Sequence, residues 1–332
     1  MRPPTIYDVA KAAGVASSTV SRTFSRPGRV NAATAERVRR AAAALGYRSS
    51  SLAGVAPIGP SLMIAVMVSD ISNPFYNEII LGAQAAAADA GYTVLIADAQ
   101  ESGTLERQAL ERALPSLAGI VLATTRMPDS AIRVMAKQRP VIVLNRAVAD
   151  VPSVITDNRH GIRQAVEHLA GLGHRRVTYA AGPEASWADG IRWRSLREAA
   201  AELGVHTRRI GPFPPTVAGG AGAAAEMGRR PAGAVVAYND LIAIGIIRAL
   251  AGAGARLPAE LSVVGFDNIF AADLVTPGLT TVAAPLRAMG ATAVQHLLAI
   301  VRGARPPVLD PVSLPCRLVV RGSTAAATYG NR

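Results

Sequence analysis

TIYDVAKAAGVASSTVSR, residues 5–22, holds two helical patterns separated by a single glycine. Thr5 followed by Asp8 is a capping-box-like start, and Ile6, Val9, Ala10 and Ala13 then recur at the spacing that puts apolar side chains on one helix face. Gly14 and Val15 interrupt the pattern, and glycine is the residue a tight interhelical turn accommodates best. A second helix is expected over 17–24, with Val20 and Phe24 facing inward. Asn31 is placed to cap a third, in which Val38, Ala42 and Leu45 form the buried stripe before Gly46 stops it. Three short helices over 5–46, with a glycine turn between the first two, spell a helix-turn-helix.

The second of these helices presents Ser17, Ser18, Thr19, Ser21 and Arg22. Short hydroxyl side chains with one arginine suit a helix lying in the DNA major groove, where arginine bonds guanine bidentately and hydroxyls reach bases or phosphates. Charge points the same way. Residues 1–60 carry Arg2, Lys11, Arg22, Arg26, Arg29, Arg37, Arg39, Arg40 and Arg48 against only Asp8 and Glu36, within a chain of net charge +12. A basic block on a near-neutral body is the electrostatic footprint of nucleic-acid binding.

Residues 48–60, RSSSLAGVAPIGP, have the Ser, Gly and Pro content of a linker. Beyond them short apolar strands alternate with amphipathic helices. The clearest strands are 62–68, 92–97, 119–123 and 140–144, then 176–181, 233–237 and 262–266. Helical patterns cover 75–90, 159–171, 191–203, 239–252 and 286–302. Unbroken apolar strands between crossover helices mean parallel sheets covered on both faces. So many units fit two doubly wound lobes better than one sheet. The composition supplies the core: 50% of the 332 residues are hydrophobic and 17% charged, with 4% aromatic.

TIYDVAKAAGVASSTVSR resembles the N-terminal signature of the lactose-repressor (LacI/GalR) family of bacterial regulators, and RVNAATAERVRRAAAALGY resembles that family's third helix and closing Tyr. SDISNPFYNEIILGAQAAAADAGY, DNRHGIRQAVEHLAGLGHRRV, AYNDLIAIG, LSVVGFDN and LTTVAAPLRAMG match further family segments in order. The resemblance implies a small all-α helix-turn-helix headpiece joined to an α/β two-lobed, periplasmic-binding-protein-like core with parallel sheets. It also implies a small-molecule effector in the interlobe cleft and operator DNA, a pseudo-palindrome, bound by a homodimer. The expected division is a headpiece at 1–47, a hinge at 48–60, an N-lobe from 61–157 and 285–311, a C-lobe from 158–284 and 312–322, and a flexible tail at 323–332. An amphipathic face in 75–88, with Ile79, Ile80 and Ala83, is either a partner-facing surface or part of the core.

By motif correspondence Ser17, Ser18 and Arg22 fall at the family's base-reading positions, beside Thr19, and Thr5, Ser21, Asn31 and Thr34 fall where backbone contacts are usual. Ala16 stands where the family usually has a capping Ser, with Ser17 as the alternative cap. The hinge also departs from the family pattern. Gly54 and Pro57 oppose a hinge helix, and Leu52 or Val55 would have to replace the leucine that such proteins wedge into the minor groove.

Ligands in such a fold sit beyond the carboxyl ends of strands, where Ser69, Asn145, Asn239 and Asp267 occur. Correspondence with the family makes these four and Arg192 effector contacts, with Phe75 and Phe213 (or Trp187) as aromatic walls. Asn268 stands where a second Asp is usual. This donor set suits a sugar, and a purine or nucleoside is the alternative.

Other classes fare worse. No G-x-G-x-x-G or G-x-x-x-x-G-K-[ST] follows any strand, so a nucleotide-dependent enzyme is not expected, and neither are catalytic residues or a cofactor. The five histidines lack metal-ligand spacing, and Cys316 is the single cysteine, so neither a disulfide within the chain nor a metal site is expected. No membrane span or secretory leader is read in the chain, so the cytoplasm is the expected location. A sugar-binding transport protein, or a ligand-binding protein whose headpiece no longer reads DNA, is the remaining rival.

Overall fold

The computed structural model describes residues 4–25, 29–45, 61–228, 233–304 and 310–327. The chain divides into two compact units, Met1–Ser61 and Leu62–Arg332.

The first unit contains α1 (Ile6–Ala13), α2 (Ser17–Ser25) and α3 (Ala32–Ala44). Their apolar stripes meet in a small core of Val9, Ala10, Ala13, Val20, Val38 and Ala42. The Asp8 carboxylate accepts from both the Thr5 amide at 2.7 Å and the Thr5 hydroxyl at 2.6 Å, which fixes the start of α1. Gly14 ends that helix at φ 62°, a left-handed cap that glycine adopts without penalty. Arg37, one of the basic residues of this unit, donates from Nε to the Ala13 carbonyl at 3.2 Å and so ties α3 to the end of α1. Asn31 caps α3 through its side chain on the Ala33 amide. Leu45 does not complete the buried stripe: it is 40% exposed, because it sits at the C-cap, past the last helical turn. The hinge 48–60, with Leu52, lies outside the described residues.

The second unit holds two six-stranded sheets. The first has the order β11-β5-β4-β3-β1-β2, with β1 (Met63–Val68), β2 (Thr93–Asp98), β3 (Gly119–Ala123), β4 (Val141–Leu144), β5 (Ser153–Thr156) and β11 (Val312–Leu314). The second has the order β12-β10-β9-β8-β6-β7, with β6 (Arg176–Ala180), β7 (His206–Ile210), β8 (Ala234–Ala237), β9 (Ser262–Asp267), β10 (Thr280–Ala283) and β12 (Arg317–Val319). Every pairing is parallel except β10 with β12. Helices α4 (Phe75–Asp89), α5 (Gly103–Ala113), α6 (Asp129–Ala136) and α12 (Leu286–Val301) belong to the first lobe. The second has α7 (Asn158–Gly171), α8 (Trp187–Glu202), α9 (Val217–Met227), α10 (Asp240–Gly252) and the short α11 (Ala271–Leu274). Central strands such as β3, β4, β8 and β9 are buried along their whole length, which is why they read as unbroken apolar runs.

One open alternative is resolved and two expectations need correction. The face carrying Ile79, Ile80 and Ala83 is core, not a partner surface, since all three are buried. Helix α4 packs there on α12, so closely that a Cβ on Gly82 would lie 2.0 Å from the Arg287 carbonyl oxygen and one on Gly290 2.0 Å from that of Ile79. The last crossing between lobes falls after Leu314 rather than at 312, because β11 pairs with β5 in the first sheet. Residues 323–327 are not a flexible tail. Ser323 is buried and bonded to Val263 and Thr280, the Ala325 carbonyl accepts from His174 Nε2 at 3.0 Å, and the Ala327 amide donates to Leu172.

Candidate functional site

In the first unit, α2 offers Ser18, Ser21 and Arg22 to solvent, with Ser17 and Thr19 half-buried and Val20 and Thr23 turned inward. Thr23 spends its hydroxyl on the Thr19 carbonyl at 2.8 Å. The Ala16 carbonyl accepts from Thr19 and Val20, so Ala16 is the N-cap and Ser17 is the first helical residue, free of capping duty. Alanine leaves the first amides of α2 without a side-chain acceptor. Restoring serine at 16 is therefore expected to stabilise this unit by about 1 kcal/mol, seen as a shift of its urea transition with the second unit unchanged.

In the second unit the carboxyl ends of strands from both lobes converge on a narrow cleft, the place where such two-lobed parallel folds present polar groups to small molecules. The N-lobe contributes Asn73, Phe75, Tyr76, Glu101, Thr124, Arg126 and Asn145. The C-lobe contributes Ala188, Arg192, Pro215, Tyr238, Asn239 and Asp267. Glu101, Thr124, Asn145 and Asp267, which follow or end β2, β3, β4 and β9, all hold positive φ (56°, 63°, 56° and 111°). Non-glycine residues adopt that conformation only when surrounding contacts enforce it, and such strain concentrates at binding sites.

Those contacts are visible. Thr124 is held by Ser69, which donates to its carbonyl at 2.5 Å, and by the Tyr76 hydroxyl on its Oγ1. Arg126 is fixed by its Nε on Glu101 at 2.7 Å. Arg192, 4% exposed, donates to Asn158 Oδ1 at 2.9 Å and to the Tyr238 carbonyl at 2.6 Å, and its guanidinium lies 3.5 Å over the Phe266 ring. Its contact with Asp267 Oδ1 is longer, 3.5 Å. Burial therefore dominates at Asp267 and pushes its carboxyl well above the usual range, opposed by Arg192 and reinforced by Asp240. Asn145 is buried with no partner for Nδ2, an unsatisfied donor at the cleft wall.

Comparison with known proteins agrees with this geometry. Residues 5–50 match the family model described as bacterial regulatory proteins, lacI family, and residues 166–324 match a periplasmic binding protein-like domain. The HTH-type transcriptional repressor CytR of Escherichia coli K12 is 32% identical over 330 residues, covering 97% of this chain and 96% of its own. The chain belongs to the LacI family. Among solved structures, the lac repressor dimer bound to operator and the anti-inducer ONPF superposes with a TM-score of 0.75 at 27% identity, covering 98% of this chain and 100% of that one. The CelR–cellobiose complex gives 0.71 at 30% identity, with coverage of 96% and 99%. A regulator from Enterococcus faecium with bound ribose gives 0.72 at 28% identity, with coverage of 80% and 100%. Like other LacI-family members, this protein is a DNA-binding transcriptional regulator with an effector-binding domain rather than an enzyme. No helix among the described residues is long and apolar enough to cross a membrane.

Within this LacI-family frame the cleft gathers Phe75, Asn145, Arg192, Asn239 and Asp267 and leaves two expected contacts outside. Ser69 is buried and braces Thr124 instead of lining the cleft. Phe213 packs beside Gly211 and Gly222, and its alternative Trp187 is also absent from the lining, where Ala188 stands. Asn239 lines the cleft but both its polar atoms are engaged, Oδ1 capping α10 at the Ile242 amide and Nδ2 on the Pro215 carbonyl. Asn268 turns its Oδ1 to Arg321. Sequence reasoning misses Tyr76, Glu101, Thr124, Arg126 and Tyr238. Tyr238 sits immediately before Asn239 in AYNDLIAIG, so that motif holds a usable signal; Arg126 carries none.

Proposed function

We propose that this LacI-family protein is a repressor that binds a pseudo-palindromic operator as a homodimer, and that a sugar in the cleft changes its affinity for that operator. The observation that carries the sugar is the lining itself: a guanidinium, a carboxyl and an unpaired carboxamide for hydroxyl groups, beside the Phe75 and Tyr238 rings for a C–H face. Cellobiose and ribose in the two solved family members support the same class. Exposed apolar side chains support the homodimer: Leu81, Leu95 and Ile96 on the N-lobe, where β2 is an edge strand, and Phe270 and Leu274 on the C-lobe. Apolar surface on an edge strand is ordinarily covered by a partner.

Selection of bound fragments from sheared genomic DNA at near-physiological salt tests the operator; recovery of no pseudo-palindrome would contradict it. A thermal-shift panel of pentoses, hexoses, disaccharides and nucleosides tests the effector, and a response to nucleosides alone would displace the sugar. Arg22→Ala is expected to relax base preference by about 1–3 kcal/mol at one position of each half-site. Uniform weakening across sequences would instead make Arg22 a phosphate anchor. Leu95→Asp with Leu274→Asp should sediment as a monomer at micromolar concentration while keeping its circular dichroism.

A further inference from the structure

Asp267, the last residue of β9, and Asn268 and Ile269 after it are each tethered by a different group. Asp267 meets Arg192 at 3.5 Å, Asn268 Oδ1 accepts from Arg321 at 3.0 Å, and the Ile269 amide donates to Asp240 Oδ2 at 2.8 Å. The first two have φ of 111° and 58°, and successive left-handed non-glycine residues persist only where contacts hold them. Of the three tethers, the Asp240 bond is the shortest and the one made by a fully buried group. Its other oxygen accepts from the Thr281 hydroxyl on β10 at 2.6 Å. The strand is bare where the carboxylate passes: a Cβ on Gly265 would lie 2.2 Å from Asp240 Oδ1.

Asp240 directly follows the cleft residues Tyr238 and Asn239 and opens α10. A carboxyl in this place is costly, since burial lifts it to about 7, and a solvent-facing acid would serve the start of a helix equally well. We propose that Asp240 is a positioning residue for effector recognition, clamping the 267–269 turn to the start of α10 and so fixing Asp267 relative to Tyr238 and Asn239. The proposal rests on the reading of the cleft as the effector site.

The test uses the full chain and two measurements. In hydrogen exchange, Asp240→Ala is expected to speed exchange at residues 267–270 at least tenfold while β6 and β8 keep their protection. Asp240→Asn should restore protection, because its amide oxygen accepts from Ile269 and its NH₂ donates to Thr281. In calorimetry with D-ribose as probe, affinity should fall about tenfold in Asp240→Ala and return in Asp240→Asn. Thr281→Val, which removes one bond and keeps the carboxylate, should give an intermediate acceleration and serves if the alanine variant fails to fold. Unchanged exchange at 267–270 in these variants overturns the proposal, as does acceleration spread evenly through the C-lobe, which would make Asp240 a core group only. Absence of D-ribose binding by the wild type would count against ribose as effector, and the exchange result then decides the positioning role by itself.

Discussion

Arg192→Ala is expected to cost about 3–5 kcal/mol of stability and to remove the sugar response. The reason is what the side chain leaves behind. Its guanidinium fills a buried space between the Asn158 amide oxygen, the Tyr238 carbonyl and the Phe266 ring, and it is the cation nearest the buried Asp267. Deleting one member of such a group strands the others without partners, and an uncompensated buried acceptor or charge is penalised far more than the intact contact is worth. Lysine should not rescue it, since an ammonium cannot reach three partners set around a planar fork. Urea melts at pH 7 with and without saturating sugar test this. A loss under 1 kcal/mol, or a preserved ligand-induced shift, would mean that Arg192 is peripheral.

Asp240→Asn is expected to remove a large part of the pH dependence of stability of the second unit. The Asp240 carboxyl is raised from 3.8 to about 7, mainly by burial, against hydrogen bonds from Thr281 and the Ile269 amide that lower it. A carboxyl raised on folding favours the native state while protonated. Its contribution is therefore fully present below pH ~4 and is lost as pH rises through ~7. Three pH units at ~1.4 kcal/mol each make the swing about 4 kcal/mol. Asparagine keeps both hydrogen-bond directions and does not titrate. The stability difference between variant and wild type should thus grow in favour of the variant from pH 4 to 7 and flatten above about 7.5. Parallel curves for the two proteins would show that Asp240 does not titrate in this range.

The periodic, buried elements are legible in the sequence alone. Strands β3, β4, β8 and β9 and the helices α4, α7, α8, α10 and α12 announce themselves, because burial on two faces or one leaves a pattern in hydropathy. Strand β10, TTVA, is buried end to end but too short and hydroxyl-rich to stand out. The elements that escape have physical reasons. Strand β7, HTRRI, is a sheet edge and carries charge where a central strand carries valine. Helix α9, VAGGAGAAAEM, is built of small residues with no polar face to set off an apolar one, and its Gly220 is bare because the backbone of α10 passes against it: an added Cβ would lie 2.7 Å from the Gly245 Cα. At the site, strand ends with Asn or Asp are readable by position. Arg126 and Glu101 reach the cleft from loops without a motif. Ser69 misleads because sequence cannot say whether a strand-end hydroxyl faces a ligand or a neighbouring turn.

Each lobe borrows its last strand from the far end of the chain, and α12 returns to the first lobe only after β6 to β10 of the second sheet have been laid down. On the ribosome this sets a schedule. The three-helix unit is complete after its first few dozen residues have emerged, but the first sheet, open at β5 from residue 156, must wait for Val312–Leu314. At about 5–20 residues per second that delay is roughly 8–30 s, during which Ile79 and Ile80 have no α12 to cover them. A nascent chain therefore carries a finished DNA-reading module well before it carries a closed sensor, and the interval in which chaperones have apolar surface to hold is written into the order of its strands.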